Sequence, residues 1–299
     1  MPARALRYDL ALFSVGLIWG LNIPVMKWAV RDLSPLAFNA LRFPFAIVFL
    51  GLVMRLSRNR EATPAEGRWR AWPRIVLLGV LGHFSYQLLF LSGLARTTSG
   101  NSALFIATSP IFTALFAALL LRENPGKRAF LGMSVAFAGA AVISLQGSAF
   151  GVGAETWVGD GMTLLAALAW GNYTVLTRPL TRSFSPVELA FWSMLIALPG
   201  ILACGIPGLE AALDAATPLH WVAIVFSGLF SIGLAYWLWN LGVQHVGPSR
   251  TAVYTYLTPV VALGVGALFL SEPLSLAQAI GGALILTGLA LVRSSRRDG

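Results

Sequence analysis

Long apolar stretches separated by short polar breaks run along the whole chain. Most of them reach the roughly 18 residues that a helix needs to cross about 30 Å of hydrocarbon. The alternation of polar and apolar residues that is typical of a membrane β-barrel does not occur. The pattern therefore predicts an all-α integral membrane protein with ten transmembrane helices. We expect them near residues 9–30, 35–54, 73–94, 101–121, 128–145, 160–177, 186–206, 219–244, 252–270 and 276–292.

Composition supports lipid as the solvent for these helices. The 299 residues are 57% hydrophobic and 11% charged, which leaves more apolar surface than one soluble core can hide. The formal charge of +9 does not indicate a nucleic-acid partner, because the basic residues lie between the apolar stretches and form no continuous patch.

The distribution of Lys and Arg predicts the orientation in the membrane. If the N-terminus is cytoplasmic, 17 of the 21 basic residues fall on that side, three fall on the other, and Arg42 lies within the second helix. Basic residues concentrate on the cytoplasmic side of membrane proteins. We therefore expect a multi-pass protein of the bacterial inner (plasma) membrane with both termini in the cytoplasm.

An internal repeat divides the chain into two similar halves. Residues 17–20 (Leu-Ile-Trp-Gly) are echoed by residues 168–171 (Leu-Ala-Trp-Gly), and each group precedes a Ser-Pro pair, at 34–35 and 185–186. A second series, at a constant offset of 149 residues, pairs Pro110, Glu123, Gly132 and Gly139 with Pro259, Glu272, Gly281 and Gly288. Five helices per half force opposite insertion, so we predict an inverted repeat with halves at 1–150 and 151–299.

These motifs resemble the drug/metabolite transporter superfamily in its EamA-type ten-helix branch, with Trp-Gly in the first helix of each half and Pro then Glu around the fourth. The sequence is most similar to bacterial exporters of amino acids, aromatic ones among them. The resemblance implies a secondary-type transporter, not an enzyme, that exports amino acids or similar metabolites by alternating access of a central cavity. The alternatives are an exporter of another small metabolite or drug, a membrane-embedded enzyme, and a membrane scaffold that does not transport.

Amphipathic aromatic and amide residues inside the predicted helices are candidates for the wall of such a cavity. Trp and Tyr combine a large apolar surface with a polar group, and amides can bond a substrate's ammonium or carboxylate. The alternative for Trp and Tyr near helix ends is an interfacial belt. The candidate substrate-binding residues are Trp19, Asn22, Arg42, His83, Tyr86, Trp170, Asn172, Tyr173, Tyr236, Trp237, Asn240 and Tyr254.

Two of these candidates are ionisable. Arg42 is the only basic residue well inside an apolar stretch, where a charge is costly unless it is paired, faces water or snorkels. It is either a carboxylate anchor or a structural residue, and its counterpart in the second half is Ser193. His83 either takes part in a proton-linked step or is a hydrogen-bonded structural residue. No predicted helix centre carries Asp or Glu, which disfavours acid–base catalysis and a carboxylate proton relay.

The sequence predicts neither a metal nor a cofactor. One cysteine, Cys204, and three dispersed histidines form no metal-ligand pattern, and the phosphate-binding loop of ATP-driven proteins does not occur. The repeated pair Pro110 and Pro259 is expected to bend the fourth and ninth helices and to gate opposite mouths of the cavity.

Overall fold

A computed structural model describes residues 2–57, 68–97, 102, 105–123, 126–147, 154–269 and 276–294. Within these ranges the chain forms helices and turns, with no strand. In the described ranges ten principal helices follow one another, and a short 3-10 segment, Ile206–Gly208, and a short α-helix, Leu209–Ala215, follow the seventh. The principal helices are α1 (Pro2–Ala29), α2 (Pro35–Ser57), α3 (72–96), α4 (Ser109–Leu121), α5 (Gly126–Gly147), α6 (Ala154–Leu180), α7 (Pro186–Gly205), α8 (218–246), α9 (248–269) and α10 (Leu276–Ser294).

Helices α3 and α8 share an irregularity at equivalent positions. Each is α-helical at both ends, over Trp72–Leu78 and Tyr86–Arg96 in α3 and over Pro218–Phe226 and Ala235–Val246 in α8. Between these ends lies a π-helical segment, Gly79–Ser85 in α3 and Ser227–Leu234 in α8. The backbone N–H of Tyr86 donates to Leu81 O, and that of Ala235 donates to Phe230 O, five residues back in both cases. Segments of this kind are rare and occur often at functional sites.

Helix starts follow the local sequence. Ser185 caps α7 by accepting a hydrogen bond from the backbone of Glu188, whose carboxylate accepts the Ser185 N–H at 2.8 Å. This reciprocal capping box satisfies backbone donors that a helix start leaves free. Pro35 and Pro186 stand at the first position of α2 and α7, where a missing N–H costs nothing.

The outer surface of the bundle is apolar. Leu56, Leu119 and Phe130 are 83%, 68% and 65% exposed, which is unfavourable in water but fits contact with lipid. In the part of the chain that the structure describes, five helical segments are long and apolar enough to cross a bilayer. They are Leu6–Ala29, Pro35–Ser57, Trp69–Arg96, Pro186–Ala215 and Pro218–Val246. The predicted all-α membrane fold is confirmed.

The two halves pack against each other with pseudo-twofold symmetry, which close glycine contacts show. A Cβ at Gly79 would lie 2.6 Å from Ser193 O, and a Cβ at Gly228 would lie 2.4 Å from Arg42 O. Gly79 and Gly228 are repeat equivalents, and so are Arg42 and Ser193. The same exchange joins α5 to α10, because Gly139 approaches the backbone of α10 as Gly288 approaches that of α5. Each half therefore fills the equivalent groove of the other.

The two ends of the bundle are named here for later use. The Asp9 end is where α1 begins, and the Ser34 end is where α1 has ended and α2 begins. Helices alternate between these ends in chain order. Asp9 accepts a hydrogen bond from Tyr254 at one end, and His220 lies 3.3 Å from Asp32 at the other.

The repeated prolines differ from their predicted position inside continuous helices. Pro110 is the second residue of α4, directly after a turn at 107–108. Helix α9 is α-helical over Pro248–Ala252, becomes a 3-10 helix at Val253–Tyr256, and is α-helical again over Leu257–Phe269, so Pro259 lies in the first turn of the last segment. Both prolines therefore stand where α-helical hydrogen bonding restarts and where the backbone tolerates them best. The predicted boundary between halves, at 150/151, falls outside the described residues and stays a prediction.

Candidate functional site

A pocket lies between the two halves, among α1, α2, α3, α4, α6, α8 and α9. The empty space at this pocket is about 660 Å³, which includes open solvent at its mouth. The lining residues are Trp19, Asn22, Ile23, Met26, Arg42, Tyr86, Gln87, Phe90, Ile106, Ser109, Trp170, Ser231, Ile232, Tyr236, Thr255 and Thr258. Six of the twelve predicted binding residues are among them: Trp19, Asn22, Arg42, Tyr86, Trp170 and Tyr236.

Four aromatic side chains form a continuous wall of this pocket. The rings of Trp19 and Trp170, which are repeat equivalents, meet edge to face at 5.4 Å. Tyr86 and Tyr236 each lie 5.1 Å from Trp170. Trp19 Nε1 donates to the carbonyl oxygen of Ser231 at 3.0 Å, in the π-helical segment of α8. Interlocked rings of this kind form a large and preorganised apolar surface.

Arg42 provides the charged part of the wall. Its side chain is 1% exposed and all of its hydrogen-bond partners in the described structure are neutral. Nε donates to Asn39 Oδ1 at 2.9 Å, Nη1 donates to Ser227 Oγ at 2.8 Å and to Met26 Sδ at 3.0 Å, and Nη2 donates to Gln87 Oε1 at 2.8 Å. The guanidinium is thus held rigidly by side chains of four helices, α1, α2, α3 and α8, and no carboxylate of a described residue bonds to it.

Asn22 supplies a second polar group. It is 2% exposed, and its Oδ1 has no hydrogen-bond partner among the described residues. A buried amide oxygen without a donor is unfavourable, so this position favours a ligand that brings one.

The other six predicted binding residues do not line the pocket in this structure. His83 is fully buried beside it, with Nε2 2.9 Å from Ser193 Oγ. Tyr254 donates to Asp9 at 2.6 Å, Trp237 packs against the core, and Asn172 donates to Leu168 O on its own helix. Tyr173 and Asn240 bond each other in a contact described below.

Several lining residues had only a weak signal in the sequence. Ser109 and Thr258 are repeat equivalents, and each stands directly before a repeated proline. A hydroxyl residue before the repeated proline in both halves was the signal that could have identified Ser109 and Thr258. Phe90, Ile106 and Ile232 are apolar residues in an apolar chain, so nothing in the sequence distinguishes them from packing residues.

Comparison with known proteins decides the family. The family model of the EamA-like transporters matches residues 6–145 and 157–294, one copy in each half. The chain belongs to the EamA-like transporter family. It is 29% identical to an uncharacterized transporter of Archaeoglobus fulgidus, covering 93% of this chain and 95% of that protein. It is 30% identical to a probable terminal-alkyne amino-acid exporter of Streptantibioticus cattleyicolor, covering 92% of each.

A crystal structure shares the fold of this EamA-like transporter. The two superpose with a TM-score of 0.79 over 96% of this chain and 98% of the other, at 22% identity. Family and fold together make the chain a multi-pass membrane transporter built from two inverted repeats.

Hydrogen bonds between α6 and α8 close the Asp9 end of the transporter. Tyr173 donates to Asn240 Oδ1 at 3.0 Å and Trp239 Nε1 donates to Thr174 Oγ1 at 3.2 Å. Further along, Arg178 Nη1 donates to Val243 O at 3.0 Å and also to Gln244 O, while Gln244 Nε2 donates to Thr181 O at 3.2 Å. We call this set the α6–α8 clasp.

The repeat counterpart of the clasp is open. In the described residues no side-chain hydrogen bond joins α1 to α3, the equivalents of α6 and α8. Asn22, Ile23 and Phe90, the counterparts of Tyr173, Thr174 and Trp239, line the pocket instead. Lys27, the counterpart of Arg178, makes no hydrogen bond to a described residue. The pocket therefore extends toward the Ser34 end and is sealed from the Asp9 end.

Proposed function

We propose that this transporter exports amino acids with apolar or aromatic side chains across the inner membrane. One observation carries the proposal: the pocket between the repeats combines the buried, unbalanced Arg42 guanidinium with a wall of four aromatic rings. A relative of similar length is named a probable terminal-alkyne amino-acid exporter, which supports the same substrate class.

Each part of an amino acid has a partner in this pocket. The substrate carboxylate bonds the Arg42 guanidinium, which suits a planar two-oxygen group. The ammonium donates to the amide oxygen of Asn22, which lacks a donor among the described residues. The side chain lies against Trp19 and Trp170.

Alternating access follows from the inverted repeat. In the state described here the pocket extends toward the Ser34 end while the α6–α8 clasp closes the Asp9 end. In the second state, α1 and α3 close and the clasp opens, so the substrate leaves on the opposite side. Pro110 and Pro259, where α-helical bonding restarts in both halves, are the proposed points at which α4 and α9 change angle.

Reconstituted protein tests the substrate class. Liposomes containing the protein are assayed for flux of apolar amino acids, phosphorylated sugars and hydrophobic cations. We expect amino-acid flux, and we expect Trp170→Ala to weaken binding about tenfold through lost aromatic contact. Trp221→Ala is the matched control, since Trp221 is 38% exposed and does not line the pocket. Flux of phosphorylated sugars or cations without amino-acid flux would overturn the proposal.

The orientation has its own test. The excess of basic residues supports an orientation with both termini and the Asp9 end in the cytoplasm. Cysteines introduced by Ser57→Cys and Gly153→Cys, in a Cys204→Ala background, should react with impermeant reagents from opposite sides. Reaction of both from the same side would exclude the proposed topology.

A further inference from the structure

We infer that the pocket recognises its substrate through the carboxylate and does not need the ammonium group, so that it also takes aromatic carboxylates that lack an amino group. The inference rests on the proposed function in using the same pocket. It goes further because it names the chemical group that selects the substrate and a class of substrates other than amino acids.

The wall of the pocket carries a positive charge. Among the described residues that line the pocket, Arg42 is the only one with a charged side chain, and none is Asp or Glu. A buried cation without a counter-charge is costly, and amide, hydroxyl and thioether acceptors offset only part of that cost. An anionic group that enters the pocket removes this imbalance. The carboxylate is therefore the part of the substrate whose binding this site favours most.

The hydrogen-bond count of Arg42 shows where a carboxylate binds. A guanidinium has five N–H donors, and four of them have partners in the described structure. One hydrogen on Nη2 is left over, and the hydrogen on Nη1 that points to the Met26 sulfur has a weak acceptor that a carboxylate replaces. Met26, which accepts from Nη1, and Gln87, which accepts from Nη2, both line the pocket. Nη1 and Nη2 thus offer a two-point contact to one carboxylate.

The ammonium group has no comparable partner. Asn22 offers a neutral amide, and the faces of Trp19 and Trp170 offer a cation–π contact. Against these stands repulsion from Arg42 in the same water-poor space, which is stronger there than in water. With an amino acid bound, the pocket keeps one net positive charge, whereas with a simple carboxylate it is neutral. The repulsion offsets the contacts with Asn22 and the indole faces, so we expect loss of the amino group to change the binding affinity little.

Three probes that share the same aromatic group separate the contribution of the carboxylate from that of the ammonium. They are phenylalanine, 3-phenylpropanoate, which lacks the ammonium, and phenethylamine, which lacks the carboxylate. Binding to purified protein is measured by calorimetry at pH 7. We expect Kd for 3-phenylpropanoate to be within threefold of that for phenylalanine, or lower, and Kd for phenethylamine to be at least tenfold higher.

Two substitutions at Gln87 differ in the charge that they place beside Arg42 while keeping a similar side-chain volume. Gln87→Glu supplies an internal carboxylate to Nη2, so it should raise Kd for 3-phenylpropanoate at least tenfold without raising Kd for phenethylamine. Gln87→Met removes the same hydrogen bond without adding charge, so 3-phenylpropanoate should bind this variant at least tenfold more tightly than it binds the Gln87→Glu variant. This difference between the two variants distinguishes loss of charge selection from a packing defect.

The outcomes are distinct. If phenylalanine binds and is transported but 3-phenylpropanoate binds more than tenfold more weakly, the inference is overturned and the proposed function stands. Equal binding of 3-phenylpropanoate to the Gln87→Glu and Gln87→Met variants also overturns it. If 3-phenylpropanoate is bound and transported while phenylalanine is not, the proposed amino-acid function fails and carboxylate recognition remains. If phenethylamine alone binds, both fail.

Discussion

Removing one hydroxyl from the α6–α8 clasp should open the Asp9 end of the transporter more often. Tyr173→Phe deletes the group that donates to Asn240 Oδ1 at 3.0 Å, and both residues are fully buried. In the proposed second state the clasp is open, so this bond is expected to stabilise only the state described here. Its loss must shift the equilibrium toward the state that opens at the Asp9 end.

The size of the shift follows from the strength of the bond. A side-chain hydrogen bond between transmembrane helices contributes about 0.6 to 2 kcal/mol. Because 1.4 kcal/mol corresponds to a factor of about ten, the population open at the Asp9 end should rise about 3-fold to 30-fold.

A buried thiol reports this population. Thr177 is fully buried on α6, and its repeat counterpart, Met26, lines the pocket at the open end. In a Cys204→Ala background, the cysteine introduced by Thr177→Cys should react with an impermeant maleimide only when the Asp9 end opens. The labelling rate in vesicles that expose the Asp9 end should therefore increase about 3-fold to 30-fold with Tyr173→Phe.

Tyr256→Phe is the matched control. Tyr256 is equally buried, but its hydroxyl has no hydrogen-bond partner among the described residues. Its removal should change the labelling rate less than twofold. If Tyr173→Phe labels no faster than the parent protein, or Tyr256→Phe accelerates labelling equally, the clasp does not hold the Asp9 end closed.

Three further expectations concern packing, gating and coupling. Gly139→Ala places a methyl group 2.5 Å from a backbone oxygen of α10. We therefore expect the free energy of unfolding to fall by about 1–3 kcal/mol, which is measured as a lower melting temperature. Gly161→Ala, with nothing within 4 Å, should show no loss. Pro110→Ala and Pro259→Ala should slow substrate exchange more than they raise Kd, and unchanged exchange in the double variant would place the gates elsewhere. Facilitated flux should persist when the proton gradient is collapsed. If collapse instead abolishes uphill accumulation and His83→Gln uncouples it, His83 is the coupling site.

Much of the fold could be predicted because lipid limits the choices. Each membrane segment must pair its own backbone groups, so long apolar stretches become helices. The repeated Pro, Glu and Gly positions reveal the two halves, and five helices in each half then force the inverted arrangement. The turn before Pro110 and the 3-10 segment before Leu257 could not be predicted from hydrophobicity. These helix types differ little in energy, and neighbouring packing selects among them.

The candidate site was predictable where a residue stood out from its surroundings. Trp19 and Trp170 were identified by repetition, and Arg42 by its charge in an apolar stretch. Tyr173 and Asn240 were predicted to bind substrate, yet the structure places them in the clasp. In the proposed mechanism, equivalent positions of the two halves exchange roles between states, and the sequence does not encode which mouth is closed in a given state.

The π-helical segments of α3 and α8 bear on how the two halves of the molecule are related. Each is a wider turn, closed by a bond five residues back, and the two lie 148 residues apart at their first residues, Gly79 and Ser227. Their equivalent positions are what descent of both halves from one duplicated five-helix unit predicts. Gly79 of the first half packs against Ser193 of the second, and Gly228 of the second packs against Arg42 of the first, so either half alone would leave its contact uncovered.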